Sequence, residues 1–300
     1  MSSSVTTAAR QHTLAGSAIF AGICLHTGQR VRASMRPAPA DSGVVFQRTD
    51  VRGDGRIPAT GRNVVNTRLN TVIGNASGAT VATVEHLMAA LCALGVDNVL
   101  IELDGPEAPI MDGSAEPFIR LIDQVGVRAQ DASRRYLEIL EPIEVLDGDK
   151  RAALLPASRF EVAVEIAFAA AAIGRQSVEL VMDEAAFRDE LAEARTFGFL
   201  HEVEALRAAG LALGGSLDNA VVVDGDRLLN PEGLRRPDEF VRHKAMDAVG
   251  DLYLLGHPII GRYEGRFAGH ALNNALVRAV LDRPDAWRLR PASLDLAQAV

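Results

Sequence analysis

The sequence predicts an α+β fold, a duplicated two-layer α/β sandwich of two similar domains, each with a sheet and a pair of helices. Three observations point there. Strands, helix, glycine, buried strand and second helix occur in that order twice. A polar stretch, Gln130-Asp131-Ala132-Ser133-Arg134-Arg135, separates the two occurrences. Each half also has an apolar helix carrying histidine and carboxylate groups, which places a functional site at the seam. The domains expected are 1–129 and 130–300, the second with an insert over about 197–227.

The first third alternates as strands do, over Arg30 to Met35 and Gly43 to Gln47, with turns at Pro37, Gly53-Asp54-Gly55 and Gly61. Thr83 to Leu94 reads as a helix with Thr83 as N-cap and Gly95 as its stop. Asn98 to Leu103 is a buried strand, and Ser114 caps a second helix, Ala115 to Val125, closed by Gly126. The second half repeats this with the strand Phe160 to Phe168, the helix Glu239 to Leu255, the strand Pro258 to Tyr263 and the helix His270 to Leu281. Its insert holds an amphipathic helix, Glu202 to Ala209, a bend at Gly214-Gly215-Ser216 and the strand Ala220 to Val223. Inserts of this kind often shape a substrate pocket.

Hydrophobic content of 48% and charged content of 23% are those of an ordinary globular protein. A net charge of −8 argues against a nucleic-acid partner. Cys24 and Cys92 are too few for a disulfide framework or a cysteine zinc site. With no signal-like start and no run of about 18 apolar residues, a cytoplasmic protein without a transmembrane anchor is expected. Of 31 basic residues only Lys150 and Lys244 are lysines, so a compact ammonium beside His243 draws notice.

The chemistry gathers on the helix from Glu239. His243, Asp247 and Asp251 recur every four residues and form one polar stripe on an apolar helix. A histidine and a carboxylate one turn apart can grip a divalent metal, and Glu85-His86 on the other long helix offers the third ligand. His86, His243 and Asp247 then make a two-histidine, one-carboxylate set with an open position. Zinc in such a site lowers the pKa of bound water to about 7. Glu85 is placed as general base, and His270 as a cationic acid or oxyanion partner oriented by Asp251. Thr196 can donate a hydrogen bond to the oxyanion. Iron-dependent oxygenases use the same ligand types, but on the strands of a barrel rather than on helices.

Thr83-Val84-Glu85-His86-Leu87, Met111-Asp112-Gly113-Ser114, Arg195-Thr196-Phe197-Gly198-Phe199, the stretch from Val241 to Asp251 and Gly269-His270-Ala271-Leu272-Asn273 closely resemble the motifs of the UDP-3-O-acyl-N-acetylglucosamine deacetylases, in order, from about Gln11 to Leu281. That resemblance implies a zinc amidase of Gram-negative lipid A biosynthesis that removes the N-acetyl group of a UDP-acyl-glucosamine, with ferrous iron as an alternative metal. It assigns His86, His243 and Asp247 to the metal, Glu85 as base, His270 with Asp251 as the acid pair, and Thr196 to the oxyanion. Lys244 would contact the nucleotide portion, with Phe197 and His26 also in the substrate site, and the insert would form a passage for the acyl chain. The chain departs from the family pattern at the alanine-rich stretch 167–172 and at Asn70, where many members carry a cysteine. A monomer is expected. The alternative is a non-catalytic paralogue that binds nucleotide-sugar or acyl ligands.

Overall fold

The computed structural model describes residues 10–292. In the first half the central strand Val99–Leu103 runs antiparallel to Arg30–Pro37 and parallel to Val44–Arg48, with Ala18–Ile23 and Arg56–Pro58 at the two edges. In the second half Ile259–Arg266 takes the same place. It is antiparallel to Lys150–Leu155 and parallel to Phe160–Ala167, with Ile143–Asp147 and Arg175–Val181 outside them. The repeat therefore extends to strand order and direction, not only to the succession of elements. The second sheet adds Arg135–Ile139 and Trp287–Pro291 alongside the start of its central strand.

The longer helices are α1 (Glu85–Ala93), α2 (Glu116–Val125), α3 (Leu200–Ala208), α4 (Glu239–Tyr253) and α5 (His270–Leu281). Each central strand follows one long helix and precedes another, α1 and α2 in the first half, α4 and α5 in the second. Leu87, Met88 and Leu91 of α1, Phe240, Val241 and Leu252 of α4, and Leu276, Val277 and Val280 of α5 are all buried in one apolar core. Each such side chain contributes about 1.5–3 kcal/mol on leaving water. The stretch around 129–135 forms the end of the strand Val127–Ser133, which returns to pair with Arg10–Leu14. The chain then crosses to the second sheet at Arg135.

Two helix starts differ from expectation. Thr83 does not cap α1: its backbone is left-handed, at φ 56°, and its hydroxyl donates to Glu107 rather than accepting from the helix. A β-branched residue rarely takes that conformation, so tertiary contacts hold it there. Ala115 occupies the cap position of α2, although Ser114 Oγ accepts from the Glu116 amide at 3.3 Å.

α1 and α4 meet backbone to backbone. A Cβ at Gly250 would lie 2.0 Å from the Glu85 carbonyl oxygen, so only glycine permits this crossing. The absent side chain brings the first turn of α1 directly against the middle of α4. In the insert, Phe197–Phe199 pairs in parallel with Val221–Asp224, and α3 provides the crossover that parallel strands require. No helix among the described residues is long and apolar enough to cross a membrane.

Candidate active site

The α1–α4 crossing brings two histidines and a carboxylate together. Asp247 Oδ1 lies 3.5 Å from His86 Nε2 and 3.4 Å from His243 Nε2, with all three residues buried. His243 Nδ1 is 3.0 Å from the Ala194 carbonyl, which fixes the proton on Nδ1 and leaves the Nε2 lone pair facing Asp247. Burial, against the pull of Asp247, holds His243 down at about 3, so it is neutral. Asp247 Oδ1 is buried and accepts no hydrogen bond. Three converging donor atoms with an unsatisfied carboxylate oxygen fit a divalent metal. Their spacing agrees as well: a tetrahedron with bonds of about 2.0–2.1 Å has edges of about 3.3–3.4 Å. His86 Nδ1 is buried without a partner, so its ring lacks the orienting bond that His243 has.

His270, the first residue of α5, faces this cluster. Its Nε2 is 3.8 Å from Asp247 Oδ2 and 3.9 Å from Glu85 Oε1, and its Nδ1 is 2.9 Å from Asp251 Oδ2. Asp251 is anchored in turn by Asn273 Nδ2 at 2.9 Å and the Thr71 hydroxyl at 2.6 Å, and Tyr263 donates to Asn273 Oδ1 at 2.6 Å. Burial disfavours a charged imidazole, but Asp251, Glu85 and Asp247 outweigh it and hold His270 up at about 9. Burial raises Glu85 above the usual carboxylate range, offset in part by His270 and His86. The Thr71 amide donates to Glu85 Oε2 at 3.0 Å and fixes that carboxylate. For Asp247, burial pushes the other way, yet His243, Lys244 and His270 keep it well below the usual range.

Lys244 Nζ donates to Asp247 Oδ2 at 2.8 Å, because a long side chain reaches one turn along the helix. The same ammonium lies 5.7 Å above the Phe197 ring. Phe197 stands edge-on to His243 at 6.2 Å and packs on Phe240 and Phe168. Thr196 and Phe197 line a cavity of about 360 Å³, walled otherwise by Leu25, Leu69, Leu206 and Leu217. His26 lines it too, with both ring nitrogens buried and unpartnered. Burial keeps His26 below its ordinary value, against the pull of Glu107. The alanine-rich stretch turns a hairpin, and Phe168 beside it packs on Phe197 and Phe199. Asn70 Nδ2 donates to Thr83 Oγ1 at 2.7 Å.

The Met111-Asp112-Gly113-Ser114 motif holds the second half in place. The Gly113 carbonyl accepts from the Thr196 amide at 2.8 Å, and Arg235 donates to Asp112 at 3.0 Å. Arg195 is buried and donates through its amide and Nε to Glu239 Oε1 at 3.0 and 2.9 Å, which pins the start of α4. Sequence reasoning missed Thr71, Glu107 and the role of Asn273. Asn273, one turn after His270, carried a helical-spacing signal; Thr71 and Glu107 carried none.

Comparison with known proteins agrees with this geometry. The family described as UDP-3-O-acyl N-acetylglycosamine deacetylase matches residues 11–282. A protein named UDP-3-O-acyl-N-acetylglucosamine deacetylase in Phenylobacterium zucineum is 66% identical, over 97% of this chain and 99% of its own length. Proteins of the same name in Acidithiobacillus ferrooxidans and Neisseria meningitidis are 51% and 50% identical, each covering 92% of its own length. With that identity along nearly its whole length, the chain belongs to the UDP-3-O-acyl-N-acetylglucosamine deacetylase family.

Proposed function

We propose that this protein is a zinc-dependent amidase that removes the N-acetyl group of a UDP-3-O-acyl-N-acetylglucosamine, releasing acetate in lipid A biosynthesis. The observation that carries this reading is the convergence of His86, His243 and Asp247 with Glu85 and His270 beside Asp247. The residues fit a metal of zinc type: two imidazole nitrogens and one carboxylate oxygen. Bound there, such a metal lowers the pKa of water and polarises the amide carbonyl.

The chain's own groups supply the proton traffic. Glu85, held by the Thr71 amide, takes a proton from the attacking water. As the amide C–N bond breaks, His270 delivers a proton to the departing glucosamine nitrogen. Asp251 keeps His270 charged and aimed from 2.9 Å. The Thr196 hydroxyl donates to the carbonyl oxygen as negative charge develops. Lys244 and Phe197 would meet the polar part of the substrate, and the insert cavity with His26 at its wall would take the acyl chain.

The test is acetate release from the UDP-sugar before and after chelation. Activity should vanish on metal removal and return with stoichiometric Zn²⁺. A fully metal-loaded protein that binds the sugar but releases no acetate is instead a non-catalytic binder.

A further inference from the structure

Glu107 is completely buried, yet no step above uses it. Its carboxylate accepts from the His26 amide at 3.0 and 3.2 Å, from the Thr27 amide at 3.0 Å and from the Thr83 hydroxyl at 2.9 Å. All these donors are uncharged. Burying a carboxylate is costly unless its lone pairs are filled, and here they are filled by two segments of chain distant in sequence. One is the 24–28 loop, whose Leu25 and His26 line the insert cavity and whose carbonyls accept from Gly214 and Leu213 of the insert at 3.0 and 3.1 Å. The other is the left-handed turn at Thr83, two residues before Glu85. Asn70, next to the Thr71 that fixes the Glu85 carboxylate, donates to the same Thr83 hydroxyl.

We infer that Glu107 is a positioning residue that couples the wall of the acyl cavity to the base Glu85. It acts as a strut: filling the cavity presses on Leu25 and His26, and Glu107 passes that constraint to the Thr83 turn from which α1 starts. Binding energy from a remote part of the substrate is thereby spent on placing the base, which raises kcat rather than lowering KM. This rests on the deacetylase reading of the site.

The experiment compares the 3-O-acylated substrate with the same UDP-sugar lacking the acyl chain. Wild-type acetate release is measured first; its absence would sink the deacetylase reading itself and not the strut. In Glu107→Gln, kcat for the acylated substrate should fall by about tenfold or more with KM little changed, while turnover of the non-acylated sugar stays near wild type. Thr83→Val removes the hydroxyl, with its bonds to Glu107 and from Asn70, keeps side-chain volume and buried charge, and should give the same collapse in discrimination; Thr83→Ser should restore it. The double variant Glu107→Gln/Thr83→Val should lose no more than either alone. A purely structural role predicts equal losses on both substrates. Equal losses, or an unchanged acyl discrimination in Thr83→Val, would overturn the inference.

Discussion

Both ends of α1 carry buried charge, but only one end gathers the groups of the candidate active site. At the C-terminal end the buried Arg134 pairs with the part-buried Asp97, with Arg134 Nε 3.0 Å from Asp97 Oδ1 and the His12 amide 2.8 Å from Oδ2. Arg134 also covers the Tyr136 ring at 5.5 Å. At the N-terminal end Asp247 Oδ1 and His86 Nδ1 have no partners, and Glu85 is raised by burial. The larger cavity, about 510 Å³, is at the C-terminal end, beside Cys92, Gly95 and Arg134. The smaller one adjoins the candidate chemistry. The larger cavity thus lies away from the candidate site, and what sets the N-terminal end apart is the unmet polar atoms of Asp247 and His86.

The widest gap between the ends should come from Glu85→Gln. Turnover should drop about 10²- to 10⁴-fold while metal content and unfolding midpoint stay near wild type. Acetate release alongside metal analysis checks this, and near-normal turnover removes Glu85 from its role as base. At the other end, Arg134→Met leaves the part-buried Asp97 without its cation and should cost about 1–3 kcal/mol of stability. Here kcat per folded molecule should not change. A denaturant titration reads the first quantity, and a lowered kcat would show that the two ends are linked after all.

The smallest effect sharpens the electrostatics of the N-terminal end. In the proposed mechanism the working forms are ionised Glu85 and protonated His270. Rate should therefore fall as pH drops through the raised Glu85 pKa and fall again as pH rises through about 9, where His270 loses its proton. Asp251→Asn removes the carboxylate 2.9 Å from Nδ1, so the basic limb should move toward neutrality. The acid limb should follow by less, because Asp251 raises Glu85 only weakly. A basic limb that stays put in the pH–rate profile of Asp251→Asn would detach it from His270.

Much of this was legible in the sequence because it is local. The four-residue spacing of His243, Asp247 and Asp251 places them on one face whatever the tertiary fold, and Gly269 marks the start of α5 at His270. The duplicated order of elements carried the repeated sheet with it. What stayed hidden depends on contacts between distant segments. Thr83 has the composition of an N-cap, but its hydroxyl goes to Glu107 and its backbone is left-handed. Thr71 is an unremarkable β-branched residue until its amide meets Glu85 and its hydroxyl meets Asp251. Lys244 stood out as one of two lysines, but its hydrogen bond to Asp247 depends on the reach of a long side chain, which composition does not show.

The glycine-permitted crossing of α1 and α4 has a consequence for how the protein survives metal starvation. His86 belongs to one half of the chain and His243 and Asp247 to the other, so an ion held by all three acts as a clasp across the crossing. Ligands that bind only the assembled form raise its stability by mass action, about 2.7 kcal/mol at a hundredfold excess over Kd. Supply of the ion would then govern not only whether a molecule turns over but how long the two halves stay shut, making metal availability a control on the protein's lifetime.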